Sequence, residues 1–243
     1  MSEYYRESLD LNKNLKINYK QSLEATIGNI LKCCFNDRGI DVEMETFSAL
    51  LQSMKSLEIY EDNSVFCSYD LDSNTILFNK NKNIDKDKQY YDFLSTVMDI
   101  ISTNYIDGKF TQGLTFKDED GKKYGKVLND RLKDRLILLS FGDTKYNESV
   151  KDFFIDSPND SATLLDEMFV QLDSVISSND LISFYINGRS DLLLQKLGDY
   201  GKAYIKNLDK YNKENSALIR NECDLLMKSI ESMKKQENSQ KIA

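Results

Sequence analysis

No histidine occurs anywhere in the sequence, and that absence closes more chemistry than any other feature of the composition. Histidine is the side chain that titrates near neutrality and the commonest metal ligand. Without it there is no Ser-His-Asp or Cys-His catalysis, no histidine-bearing zinc site and no histidine-ligated haem. Enzymes built on carboxylates, lysine or an isolated thiol pass this filter. Tryptophan is also missing, and Pro158 is the only proline. Cysteine is sparse: Cys33, Cys34, Cys67 and Cys223 have no paired zinc-type spacing. Adjacent cysteines are poorly placed to bridge each other, so the four read as small buried hydrophobes in a reducing compartment. No stretch approaches the roughly 18 apolar residues of a membrane span, and the opening MSEYYRESLDLNKNLK lacks an apolar signal core. A cytoplasmic location with no membrane partner is therefore expected. The formal net charge of -8, with no arginine-rich or lysine–aromatic segment, argues against nucleic acid, whose phosphates need a basic face.

What is present is globular. Hydrophobic residues make up 40% and charged residues 30% of the chain, outside the disordered range. Residues 1–18 form a polar segment. Leu23, Ile27, Ile30, Leu31 and Cys34 recur at helical spacing and predict a helix over Tyr19–Phe35, stopped near Asn36–Gly39. Ile40–Met44 alternates like a strand, and Phe47, Leu50, Leu51 and Met54 predict the next helix. Ser64–Asp70 and Thr75–Asn79 read as strands joined by Leu71–Asn74. Asp70, Asp72 and Asn74 imitate a calcium loop, but Thr75 and Asn81 stand where glycine and glutamate are needed, so a hairpin turn is the reading.

Helices follow over Gln89–Thr103 and Lys122–Phe141, separated by a loop bearing Gly and Asp with an acidic turn at Lys117–Gly121. The remaining third reads as helical: Leu164–Ile176, Leu181–Tyr185, Asp191–Leu197 and a last segment, Lys202–Lys235. The apolar spacing of that segment drifts, with Asn215 and Glu222 on the seam, so it predicts a long helix packed on its own domain or a partner-binding helix, not a coiled coil. The fold class is α+β: a small N-terminal sheet with flanking helices, strands confined to the first third, then a helical portion. The expected divisions are 1–18, an α+β core over 19–145, and a helical part over 146–243 ending in the amphipathic helix.

One constellation carries a resemblance. Phe93–Thr103 follows the hairpin, and some residues later comes Val127-Leu128-Asn129-Asp130-Arg131-Leu132-Lys133-Asp134. Together these resemble the two metal-site helices of a gluzincin-type zincin metalloprotease. In that family a short sheet precedes a helix bearing His-Glu-x-x-His, and a second helix bears Asn-Glu-x-x-x-Asp/Glu. Two histidines four apart reach zinc from one helical face, and the glutamate beside the first is the general base. The alignment puts Thr96 and Ile100 at the histidine positions and Val97 at the glutamate. Asn129, Asp130 and Asp134 match the second motif as asparagine, ligand carboxylate and orienting carboxylate. The first three cannot do the chemistry, so the resemblance implies a zincin-like scaffold with no catalytic zinc, no cofactor and no peptide hydrolysis by this route. The other reading of the second motif is an ordinary helix whose charged residues pair on its surface.

Two function classes remain. The first is a non-catalytic protein that binds another protein, with the C-terminal helix as the candidate contact. The second is a non-zinc hydrolase using Asp130, Asp134 or the Cys67 thiol in the same cleft. No phosphate-cradling glycine loop or nucleophile elbow is present. Oligomeric state is not readable from the residues.

Overall fold

The computed structural model describes residues 15–61, 67–78, 86–106, 108–141, 168, 171–211 and 214–242. It is mixed α+β. Helix α1 (Leu15–Lys32) runs into a π-helical turn, Cys33–Asp37, and is followed by α2 (Met44–Ser56). Strands β1 (Glu58–Glu61), β2 (Cys67–Asp70) and β3 (Thr75–Phe78) precede α3 (Lys86–Ile101). Then come β4 (Thr103–Ile106), β5 (Lys109–Gln112), β6 (Phe116–Lys117), β7 (Lys123–Tyr124) and α4 (Lys126–Phe141). The last described part holds α5 (Ser178–Ile186), α6 (Ser190–Leu197), a 3-10 turn at Gly198–Tyr200, α7 (Gly201–Leu208) and α8 (Ser216–Ile242).

The stripe that predicts α1 is its buried face: Leu23, Ile27, Ile30, Leu31 and Cys34 all face the core. Gly39 ends the turn in a left-handed conformation (φ 64°) that a residue with a Cβ rarely adopts. The strand expected at Ile40–Met44 does not form, although Ile40 and Val42 are buried as its alternation requires. Its backbone is instead held by side chains of α5 and the residue after it. Asn187 Oδ1 accepts from the Glu43 N–H at 2.8 Å, and the Asp41 carbonyl accepts from Ser183 Oγ at 2.7 Å and Asn187 Nδ2 at 3.0 Å. A segment whose hydrogen bonds go to side chains needs no partner strand, and the chain turns helical at Met44.

The predicted hairpin is present. β2 pairs antiparallel with β3 around Leu71–Asn74, and β1, not anticipated from the sequence, adds in parallel on the other side to give the order β1-β3-β2. Asn74 takes a positive φ of 49°. Its carboxamide pins the turn to α2, accepting from Ser53 Oγ and donating to the Ser53 carbonyl, each at 2.8 Å. Helix α3 has a broad apolar face: Phe93, Leu94, Val97, Met98, Ile100 and Ile101 are at most 1% exposed, while Asp92, Ser95 and Asp99 take the remaining side. So wide an apolar face needs several neighbours to cover it, and α3 packs on β2, α1, α2 and α4.

Strands are not confined to the first third. The helix expected to reach Thr103 stops at Ile101, and Thr103–Ile106 pairs antiparallel with Lys109–Gln112. Phe116–Lys117 pairs with Lys123–Tyr124 around the acidic turn, so α4 starts at Lys126 and not at Lys122. Of the predicted helix at Leu164–Ile176, residues 164–167, 169 and 170 lie outside the described residues; 168 and 171–173 are helical and Ile176 is not. The last segment is two helices. One helix ends at Leu208 and the next begins at Ser216, which explains the drifting apolar spacing. Helices α7 and α8 pack on each other, and one buried cluster runs from Tyr19 through α3 and α4 to Ile230.

Candidate functional site

The five motif positions occupy three separate surroundings. Val97 and Ile100 are completely buried core residues. Thr96, 1% exposed, donates its hydroxyl to Cys67 Sγ on β2 at 3.3 Å. Asp134 accepts from the Tyr91 hydroxyl at 2.7 Å and from Arg131 at 3.1 Å. Asp130 is exposed and lines a separate cleft, to which Thr96, Val97, Ile100 and Asp134 contribute nothing. Asn129, the motif's asparagine, is a backbone brace: its Oδ1 accepts from Leu114 N–H at 2.8 Å, and its Nδ2 donates to the carbonyls of Leu114 at 2.7 Å and Gly125 at 3.0 Å. Among the described residues no group of three His, Cys, Asp or Glu side chains is placed to hold a metal ion.

The thiols of Cys34, Cys67 and Cys223 are poorly suited to attack. Burial pushes Cys67 up to about 11, only partly offset by its bonds to Thr96 and Tyr19. Burial likewise raises Cys34 to about 12 and Cys223 to about 11. A nucleophilic cysteine needs a lowered pKa from a cation or helix N-terminus; the charged residues acting on Cys67 are Asp92 and Asp99, which push it the wrong way.

The cleft beside Asp130 encloses about 560 Å³, within the usual range for ligand sites. One wall is continuous chain, every residue from Phe110 to Phe116. A strand face contributes alternate residues, so a wall of consecutive residues exposes the strand's edge. Opposite stand Lys126, Asp130 and Lys133 of α4, which is held by Asp209: that carboxylate accepts from the N–H groups of Gly125 and, at 2.9 Å, Val127, capping the start of the helix. Lys133 Nζ lies 3.1 Å from Asp99 Oδ1. A second cleft of about 740 Å³ lies on the other face of the β4–β5 hairpin. Its guanidinium, Arg189, is already shared by Glu43 at 2.7 Å and Asp191 at 3.0 Å.

Sequence reasoning missed this hairpin, reading Asp107-Gly108 as part of a loop. The signal was there: Asp-Gly between two alternating runs is a strong short-range hairpin mark, and Gly108 has the positive φ (77°) such a turn uses.

Asp99 gives the cleft a pH signature. Burial raises its pKa, more than Lys133 lowers it, and Asp130 adds to the rise. A carboxyl whose folded pKa lies above its unfolded value of about 3.9 costs stability as pH climbs through the folded value. Asp99→Asn removes that slope. The stability of the variant relative to wild type, from urea melts at acid and neutral pH, is expected to rise with pH; a difference independent of pH refutes the assignment.

No family model, curated protein or solved structure matches the chain, so the zincin likeness rests on the spacing of its motif positions.

Proposed function

We propose that the chain is a non-catalytic protein that acts by binding another protein, on a scaffold whose zincin-like positions carry no metal ligand. The observation behind this reading is the aromatic pair of the β4–β5 hairpin. Tyr105 and Phe110 meet edge to face at 5.1 Å between ring centroids, yet are 60% and 39% exposed. Exposed tyrosine and phenylalanine beside a cleft are the residues enriched at protein interfaces. The C-terminal helix supports it less. Helix α8 turns Ile219, Cys223, Met227 and Ile230 into its own core, leaving Leu218 and Leu225 outward.

The test compares proteins retained by the wild-type chain with those retained by Tyr105→Ser/Phe110→Ser and by Leu218→Ser/Leu225→Ser. A partner lost with the hairpin pair and kept with the helix pair is expected. Partners indifferent to the hairpin pair refute the hairpin as the contact.

A hydrolase reading keeps one observation: Asp99 and Asp130 line one cleft, and a pair of carboxyl groups is a common acid–base arrangement. Turnover of a peptide, ester or glycoside substrate that vanishes in both Asp99→Asn and Asp130→Asn would favour it.

A further inference from the structure

The hydrogen-bond register of the β4–β5 hairpin fixes which backbone groups have partners. Residues directly opposite in this pair are Thr103 and Gln112, Asn104 and Thr111, Tyr105 and Phe110, Ile106 and Lys109. Just past the strands, the Gly113 N–H donates to the Ser102 carbonyl at 2.9 Å, so that pair is hydrogen-bonded. In an antiparallel ladder bonded and non-bonded pairs alternate. Asn104–Thr111 and Ile106–Lys109 are therefore the bonded pairs. Phe110 and Gln112 belong to the others, with their N–H and C=O directed away from β4.

On that outer side β5 has no neighbouring strand among the described residues, and no bond to the backbone of Phe110 or Gln112 is present there. Just beyond the Gly113 bend the edge is occupied: the Asn129 carboxamide takes both the N–H and C=O of Leu114, and Phe116 pairs with Tyr124 of β7. The unfilled stretch faces the 560 Å³ cleft. Gln112 adds an unmet donor, because its Nε2 is buried without a partner, and a buried unpaired polar group is costly until something accepts from it.

We propose that the open edge of β5 is a strand-addition site that takes an extended polypeptide segment of a partner protein. This rests on the protein-binding reading above and specifies how binding occurs. An extended backbone is the ligand whose N–H and C=O groups repeat at the spacing this edge presents. The shape of the trough selects a single segment over a second copy of this chain: α4 and β7 form the far wall, and a folded strand arriving with its own sheet would meet them. Exposed edges are commonly blocked by charge, proline or a bulge; here Phe110, Thr111 and Gln112 are uncharged and unbulged.

The experiment uses the full chain. Peptides are selected on it from a random display library, and residue-resolved amide exchange is measured without and with a selected peptide. Strand addition predicts fast exchange at Phe110 and Gln112 in the free protein, slowed by about tenfold or more in the complex, with Thr111 protected in both. N-methylation of alternate peptide residues on one register is expected to abolish binding, and on the other to leave it intact. Gln112→Pro, which removes an outward donor and no β4 bond, is expected to weaken binding by about tenfold or more.

Four results overturn the proposal: Phe110 and Gln112 amides already slow in the free protein; a dimer in sedimentation that protects the same amides; bound peptide with no change at these amides; and no enriched peptide. The third leaves the protein-binding reading standing, since it moves the contact elsewhere. The fate of that reading is decided separately by the Tyr105/Phe110 comparison.

Discussion

Asn104→Ala is expected to lower the stability of the protein by about 3–5 kcal/mol, because two or three buried groups lose their partners at about 1–3 kcal/mol each. Asn104 is 3% exposed. Its Oδ1 accepts from the Thr46 hydroxyl at 2.8 Å, and its Nδ2 donates to the carbonyls of Ser102 at 2.9 Å and Ile186 at 2.8 Å. Those partners sit on α2, at the α3–β4 junction and at the end of α5, so one carboxamide ties together three segments far apart in sequence. Alanine leaves a void as well as orphaned carbonyls, and Thr46 and Ile186, 3% and 0% exposed, have little water to turn to. For a chain of this size each kcal/mol is worth about 2–4 °C in Tm, so the loss is measurable by heat or urea. A loss under about 1 kcal/mol would mean that water or neighbouring groups replace the carboxamide and that the cross-brace is dispensable.

Gly113→Ala is expected to cost about 3 kcal/mol or more, against about 1–2 kcal/mol for Gly121→Ala. Both glycines have positive φ, 56° and 76°, so both alanines bear similar backbone strain. Only Gly113 is crowded: an added Cβ would lie 2.5 Å from Asn129 Oδ1 and 2.7 Å from Tyr185 Cε2, whereas at Gly121 it meets nothing within 4 Å. Neither neighbour yields cheaply. Asn129 is held by its three backbone bonds, and the buried Tyr185 lies within reach of Ser102 Oγ at 3.4 Å. The difference between the two variants in urea midpoint isolates the packing contribution. Equal losses would show that strain alone decides and that the junction of β5, α4 and α5 can relax.

Part of this was legible beforehand. The α1 stripe, the β2–β3 hairpin with its Asp-Ser-Asn turn, and the buried faces of α3 and α4 follow from periodicity and turn chemistry, which are local. The segments that went wrong share a cause. Ile40–Met44 has the alternation of a strand, but whether it becomes one depends on a partner, and the groups that reach its backbone come from Ser183 and Asn187. The supposed second metal motif likewise matches in spacing alone. Asn129, Asp130 and Asp134 meet a backbone brace, an open cleft and a tyrosine–arginine pair, because even side chains one turn apart on a helix face take their partners from whichever elements pack beside them.

The sequence by itself determined the chemistry that is closed to this protein. Without histidine no fold could supply the two histidine ligands of a zincin site or an imidazole base, and the helices and one hairpin were written into apolar spacing and turn residues. Tertiary structure alone decided the rest: which asparagines became braces, where α7 ends and α8 begins, and that β5 keeps one edge unpaired among the described residues. Those are outcomes of contact between segments distant in sequence, where hydrogen-bond partners are assigned by approach in space and leave no periodic trace in the residues that make them.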